Sequence, residues 1–344
     1  MNKNTFFYLL IIFLTFKSIT RAEFKKDNLE KEFNFKELKW DLSPLKNEKN
    51  PLWINSPDDK ELMINPSKKF QKDIKVQSYG KAISFNSIYY PEISSYVPNA
   101  YVQDSDVNIT SSTRLISKTR HCGGGNFSEK CSDGLTELDL NILRGIKYSL
   151  NTKVSLQSLT NRGTNFGEGI SMGFKLAKEI SNDWSLAIGG ENIIHFDDTI
   201  DLGRNFYIVT STYREIGSKN KKTPPILFLN AGIGSDFYGY KGNGFLGETY
   251  CFGGNTLTGD GSDTCSWGPI GSITFAFNDR FAIVNEWFGY SYGSGFSIKP
   301  FESSTLNISI FATDFVKGFP KYANESCMSN DCSTRFYGTI SLSF

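Results

Sequence analysis

The sequence predicts an all-β fold: an antiparallel transmembrane β-barrel of about twelve strands (ten to fourteen), preceded by a charged segment. Three observations lead there. From about residue 110 of the 344-residue chain, short segments alternate apolar and polar residues, the period of a strand whose two faces meet unlike media. No stretch beyond the N-terminus approaches the ~18 apolar residues that a spanning helix needs. The connections between segments alternate in length, short and then long, as in barrels that cross a membrane.

The chain opens with "MNKNTFFYLLIIFLTFKSITRAEF". Lys3 is followed by an apolar run from Phe6 to Phe16, and Thr20-Arg21-Ala22 offers small residues around a cleavage point. As a helix the run spans only about 16 Å, too short for a bilayer core. Residues 1–22 therefore read as a secretory signal peptide, with a mature chain from about Glu23. Residues 23–75 hold 12 Lys against 11 Asp and Glu with no sustained period, so they read as a solvated periplasmic segment. Residues 76–109, with "YYPEISSYVPNAYVQ", are extended and proline-punctuated; they can plug a lumen in part, add a hairpin, or lead in.

The barrel is assigned to residues 110–344. "TELDLNILRGIKYSL" sets Leu138, Leu140 and Ile142 against Glu137, Asp139 and Asn141. "KVSLQSL" sets Val154 and Leu156 against Ser155 and Gln157. Similar alternation runs through "GISMGFKLAKE", "DWSLAIGGE", "ILFLNAGIGSD" and "TLNISIFAT". Two segments, around 206–213 and 281–288, are less clean. Twelve strands result, near 110–120, 135–148, 153–160, 168–179, 184–195, 204–216, 225–237, 266–277, 281–290, 294–301, 304–313 and 334–344.

The even-numbered connections are mostly short: "NTK", "SND", "NDR" and "ESS", with "SKNKKTPP" longer. The odd-numbered ones include every long loop: 121–134, 196–203, 238–265 and 314–333. Alternation alone also suits a soluble sandwich, but a sandwich has no reason to sort its loops by parity. The last strand, "RFYGTISLSF", ends on Phe344 with Leu342, Ile340, Gly338 and Phe336 at every second position before it. In this respect residues 110–344 resemble bacterial outer-membrane β-barrel proteins of the porin-like class, whose last strand ends in this way. The resemblance implies that Phe336, Ile340, Leu342 and Phe344 form a signal read by the barrel-insertion machinery. Gly338 departs from it, since a larger residue is common there. The implied location is the outer membrane of a bacterial cell, with its lipid as a partner.

The polar face carries Glu137, Asp139, Lys147, Lys153, Lys175, Glu179, Glu191, Asp236, Glu286, Lys299 and Arg335 as lumen candidates. Both signs are mixed, so pairing across strands and little ion selectivity are expected. With 37 basic against 36 acidic residues, nucleic acid is not an expected partner. Six cysteines form three close pairs, Cys122 with Cys131, Cys251 with Cys265 and Cys327 with Cys332, each inside a long loop. In an exported protein these are disulfide candidates, although six cysteines allow 15 connectivities. A zinc site from His121, Cys122 and Cys131 fits no common spacing, and no metal or cofactor is expected. "GNGFLG" lacks the following helix that a dinucleotide site needs. "DSDVN" from Asp104 lacks the glycine and glutamate of a calcium loop. His195, with Asp197 and Asp198 after it, lacks a nucleophile motif.

The leading functional reading is a passive channel for small solutes, not an enzyme. The second is a non-conducting envelope barrel whose outer loops bind a surface partner, and the third a lipid-modifying barrel enzyme. Blockage of the lumen by residues 23–109 separates the first two. The parity of the loops gives a test: labelling of intact cells should reach the 238–265 loop and miss the 218–224 turn. The reverse pattern would invert the topology.

Overall fold

The computed structural model describes residues 75–344 apart from 105, 118–131, 146, 160–166, 197–203, 218–221, 236–237, 239–247, 251–263, 290, 303 and 315–333. Three short strands come first, β1 (Val76–Tyr79), β2 (Ala82–Phe85) and β3 (Ile88–Tyr90), in an antiparallel sheet of their own. Gly80, in the first turn, has φ +65°, and a Cβ there would strike the side chains of Ser343 and Thr110. Asn86 and Ser87 both have positive φ, as a two-residue hairpin turn that follows the strand twist demands.

The remaining strands are β4 (Ile109–Ile116), β5 (Asp133–Arg144), β6 (Tyr148–Leu156), β7 (Ile170–Ser181), β8 (Trp184–His195), β9 (Asn205–Glu215), β10 (Ile226–Ser235), β11 (Glu248–Tyr250), β12 (Thr264–Ala276), β13 (Phe281–Trp287), β14 (Tyr292–Ile298), β15 (Asn307–Thr313) and β16 (Arg335–Ser343). Strands β4 to β10 pair in chain order, and β10 passes to β12 from Ile226↔Ala276 to Ser235↔Trp267. Strands β12 to β16 continue in order, and β16 returns to β4 from Ser343↔Thr110 to Tyr337↔Ile116. The result is a closed antiparallel barrel of twelve strands. The seam is finished by the last residue, whose Phe344 N–H donates to Ile109 O at 2.8 Å while Phe344 O accepts from Asn108 N at 2.8 Å. Strand β11 is a short addition to β12, from Glu248↔Ser266 to Tyr250↔Thr264.

The strand ends sort the connections. One end of the barrel has 145–147, 182–183, 216–225, 277–280 and 299–306; the other has 117–132, 157–169, 196–204, 236–263, 288–291 and 314–334. Both chain ends of the barrel domain lie at the short-turn end.

One turn differs from the sequence reading. Asn151, Thr152 and Lys153 run inside β6, and the turn before that strand is 145–147, closed by Gly145 N donating to Tyr148 O at 2.8 Å. Glycine supplies the turn, and Ser149 and Asn151 continue the inward polar series. Lys147 is consequently exposed in the turn and not a lumen residue.

The barrel is inside out relative to a soluble sandwich. Ser112, Ser211, Asn230, Ser272, Ser297, Ser309, Thr339 and Ser341 point inward and are buried. Leu138, Leu176, Leu186, Ile188, Ile208, Ile273, Phe296, Ile310 and Ile340 point outward and are exposed. Exposed aromatics stand near strand ends: Tyr148, Trp184, Phe277, Phe301 and Phe344 at the short-turn end, Phe196 and Phe336 at the other. On β16 the outward positions are Phe336, Gly338, Ile340 and Leu342, with Phe344 following in the same register.

Ser341, inward on the same strand, is 2% exposed, so the lumen beside it is packed and not open water. A Cβ on Gly338 would meet nothing within 4 Å. Gly338→Leu should therefore leave the folded barrel intact, whereas Ser341→Lys forces a charge into packed space at a penalty of several kcal/mol. Heat-modifiable gel mobility of the two variants checks this; equal loss of the folded form in both would contradict the facing of β16.

Candidate functional site

The lumen is filled by the chain itself. The β1–β3 sheet closes the short-turn end. Its Val76, Ile83, Phe85 and Tyr90, with Ile93 and Tyr101, pack against Tyr213, Ile226, Phe228, Ala276 and Ala282 of the wall. Edge-on ring pairs join the two, with Phe85 and Tyr213 centroids 5.4 Å apart and Tyr90 and Phe228 6.4 Å apart. From Pro91 the chain climbs the lumen, turns near Val97 and returns to β4. The climbing arm has no ladder of its own, because prolines 91 and 98 interrupt it and its groups must be met by the wall. The wall meets them. Thr274 donates to Ile93 O, and Ala100 N donates to Ser211 Oγ at 2.7 Å. Gln103 N donates to Ser149 Oγ at 2.9 Å, and Ser309 donates to Glu92 Oε2 at 2.6 Å.

The apex is held hardest. Glu286 on β13 accepts from three successive backbone N–H groups: Ser95 at 3.0 Å, Tyr96 at 3.1 Å and Val97 at 3.4 Å. Arg114 on β4 donates to Ser95 O at 2.5 Å and lies over the Tyr96 ring, 4.3 Å from its centroid. That ring also meets Phe288, stacked at 4.7 Å, and Tyr337, edge-on at 5.2 Å. Gly289 has φ +98°, and a Cβ there would strike the backbone of Tyr238, so two segments of the long-loop end meet above the apex.

A second set of groups runs down the opposite wall. The Tyr238 hydroxyl lies within hydrogen-bond distance of Tyr96 O, 3.2 Å, and Glu191 Oε2, 2.9 Å. Glu191 Oε1 is 2.9 Å from Lys153 Nζ, which is 3.1 Å from Glu137 Oε1. Glu137 Oε2 is 3.4 Å from Lys81 Nζ, in the β1–β2 turn of the plug. An unbroken polar chain thus joins a long-loop residue to the plug's hairpin. Glu191 reaches Lys153 because β8 bulges there: Glu191, Asn192 and Ile193 oppose the single Gly173 of β7, with Asn192 at φ 55°.

Of the residues assigned to the lumen from sequence, Glu137, Asp139, Lys153, Lys175, Glu179, Glu191 and Glu286 face inward. Lys299, buried just beyond β14, lies 5.8 Å from the Tyr89 ring and donates to Glu302 O at 3.0 Å. Arg335 pairs with Asp314 at 2.5 Å at the long-loop end. Asp236 lies outside the described residues, as do Cys122, Cys131, Cys251, Cys327 and Cys332; Cys265 is buried on β12. The His121–Cys122–Cys131 grouping and "GNGFLG" also fall outside them. Among the described residues no cluster of His, Cys, Asp and Glu is built to hold a metal. The "DSDVN" segment makes an Asx turn, with Asp106 N donating to Asp104 Oδ1 at 3.1 Å, and so ends the plug. Ser171 stands opposite His195, but it is wholly buried and donates to Asn192 Oδ1 at 2.7 Å.

Sequence reasoning missed Lys81, Glu92, Tyr96, Arg114 and Tyr238. All but Arg114 lie outside the alternating strands, and Arg114 sat in a segment read only by its period.

The site defines a class of architecture, a twelve-stranded barrel plugged by its own N-terminal arm. No protein-family model matches the chain, and no curated protein matches it significantly.

Glu286→Ala leaves three backbone donors without an acceptor, at roughly 1–3 kcal/mol each where no water replaces it. The apex should loosen, and brief trypsin treatment should cut at Lys81 in this variant and not in the native protein. Glu286→Gln keeps a carbonyl oxygen and should resist more than the alanine variant. Equal resistance in all three proteins would show that the carboxylate does not anchor the plug.

Proposed function

We propose that the protein is a bacterial outer-membrane barrel closed to solutes by its own residues 76–107, which presents its long loops at the cell surface to a partner. Two observations support membrane residence: the exposed apolar outward face, and the exposed aromatics near both strand ends, where membrane interfaces gather them. No helix among the described residues is long and apolar enough to cross a membrane, so crossing falls to the strands. The closed state rests on one arrangement, the capture of the Ser95–Val97 backbone by Glu286 across the lumen. A porin-like passage of small solutes, the first expectation from sequence, then requires the plug to leave. The second expectation, a barrel that works through its loops, needs no such movement and is the better supported.

Proteoliposome swelling tests the reading. Native protein in vesicles should admit neither arabinose nor a trisaccharide. A variant lacking residues 76–107 should admit the smaller sugar, provided that it still shows heat-modifiable mobility. Rapid swelling with the native protein, or its recovery in the soluble fraction of cells, would overturn the proposal.

A further inference from the structure

We infer that the outward wall binds one anionic glycerophospholipid at its short-turn end, with the lipid phosphate held between Lys178 of β7 and Arg214 of β9, on either side of Trp184 of β8. The inference rests on the reading of the protein as a membrane barrel and does not depend on the plug.

Charge on the outward face is confined to this place. Along the described strands that close the barrel, no carboxylate stands at an outward position, and Lys178 and Arg214 are the two cations that do. Lys178 is exposed between buried Ala177 and Glu179, and it pairs with Tyr148 and Leu186, both exposed. Arg214 is exposed beside buried Tyr213 and pairs with Leu227. Arg144, the last residue of β5, is instead in register with inward Ser149 and donates to Asn108 Oδ1.

The two cations stand at similar depth. Adjacent strands lie about 4.8 Å apart, so β7 and β9 are separated by roughly 10 Å. The row of paired residues through Lys178 begins at Tyr148, the first residue of β6, passes Leu186, Thr210, Ala231 and Gly271, and ends at Trp287, the last of β13. It therefore climbs from the short-turn end to the long-loop end, as tilted strands require. Staying level from β7 to β9 means stepping back along β9, from Thr210 toward Arg214. Trp184, opposite Thr212, stands between the two cations in strand order and in level.

Among the described residues neither cation has an ion pair. The carboxylates nearest in sequence are turned elsewhere. Glu179 is buried, and Asp183 accepts from the hydroxyl of inward Tyr213 at 3.1 Å. Glu215 is in the inward register, opposite fully buried Ile226. Around the cations Tyr148, Ile180, Trp184 and Leu186 are exposed, an apolar floor for acyl chains with aromatic rings at headgroup level. Lys and Arg side chains extend along such a surface to a charged group beyond it. A phosphodiester supplies the missing counter-charge, and guanidinium and ammonium both donate to phosphate. A zwitterionic headgroup adds an ammonium that the two cations repel, so a headgroup of net negative charge is preferred.

Native mass spectrometry of the full-length protein tests this. The protein is folded into neutral detergent, checked by heat-modifiable mobility, and offered equal amounts of phosphatidylglycerol and phosphatidylethanolamine. Native protein should retain one phosphatidylglycerol in preference to phosphatidylethanolamine by roughly tenfold or more. Lys178→Gln combined with Arg214→Gln should bring the two lipids to near parity, and each single change should fall between; the single changes decide the matter if the double variant does not fold. The charge-conserving exchange, Lys178→Arg with Arg214→Lys, should keep the preference. So should Arg280→Gln, on the 277–280 turn, where the guanidinium pairs with Glu302. A preference that survives in the double variant, or undiminished in both single ones, would place the lipid elsewhere and refute the site. Equal uptake of the two lipids by native protein, or uptake of neither by protein that needs detergent to stay dispersed, would also refute the site and leave the membrane reading standing. Native protein that stays dispersed without detergent and takes up neither lipid would overturn that reading itself.

Discussion

Twelve strands close around more space than their own inward side chains fill, and the rest of the structure follows from how that space is occupied. About eight strands give an interior that side chains can pack, and sixteen or more leave a broad aqueous channel. Between these limits one or two passes of extended chain fit. Here the arm from Pro91 to Asn108 makes two passes, up to Val97 and back. Once it is inside, every backbone group on it must find an acceptor or donor among the inward side chains. That requirement accounts for the wall's composition. Ser, Thr and Asn supply short neutral partners at Ser149, Ser211, Thr274 and Ser309. At the apex, where three N–H groups converge, a single carboxylate serves them all.

The same requirement decides what was legible in the sequence. Strands whose outward face is apolar and whose inward face is small and polar, such as β5, β7 and β16, show the two-residue period plainly. Strands β9 and β13 do not, and the plug is the reason. Tyr207, Val209 and Tyr213 on β9, and Ala282 and Val284 on β13, point inward against other side chains and not against water. An apolar residue on both faces erases the alternation. The blurred stretches at 206–213 and 281–288 were therefore a trace of the filled lumen, visible only once the plug's position is known. Lys147 was misplaced for a local reason: the alternation around it runs on through a glycine turn. The contacts of Tyr96 and Tyr238 had no signal at all, since neither residue lies in a periodic segment.

Most of the wall's inward charges lie on β5–β8 for a physical reason. A charge shut into packed space needs a partner and full hydrogen bonding, and most such arrangements gain little over neutral ones. On the β12–β15 side the wall is accordingly neutral except for Glu286, whose partners are the plug's own N–H groups and the nearby Arg114 guanidinium. On the β5–β8 side the Glu137, Lys153 and Glu191 side chains keep some exposed surface. Lys153 can there stand between two carboxylates, and Asp139 and Lys175 stand without an ion pair among the described residues.

The two sides meet at one residue. Tyr238 belongs to the long-loop end, and its hydroxyl touches both the plug apex through Tyr96 O and the charged chain through Glu191. Its backbone also packs on Gly289, beside Phe288, which stacks on the Tyr96 ring. A shift of this segment would therefore disturb the plug apex and the charged chain together. The plug's seat is thus tied at its apex to Tyr238 at the long-loop end, and through Lys153 and Glu137 to its own hairpin at the far end. An arm placed only to fill space would need neither connection.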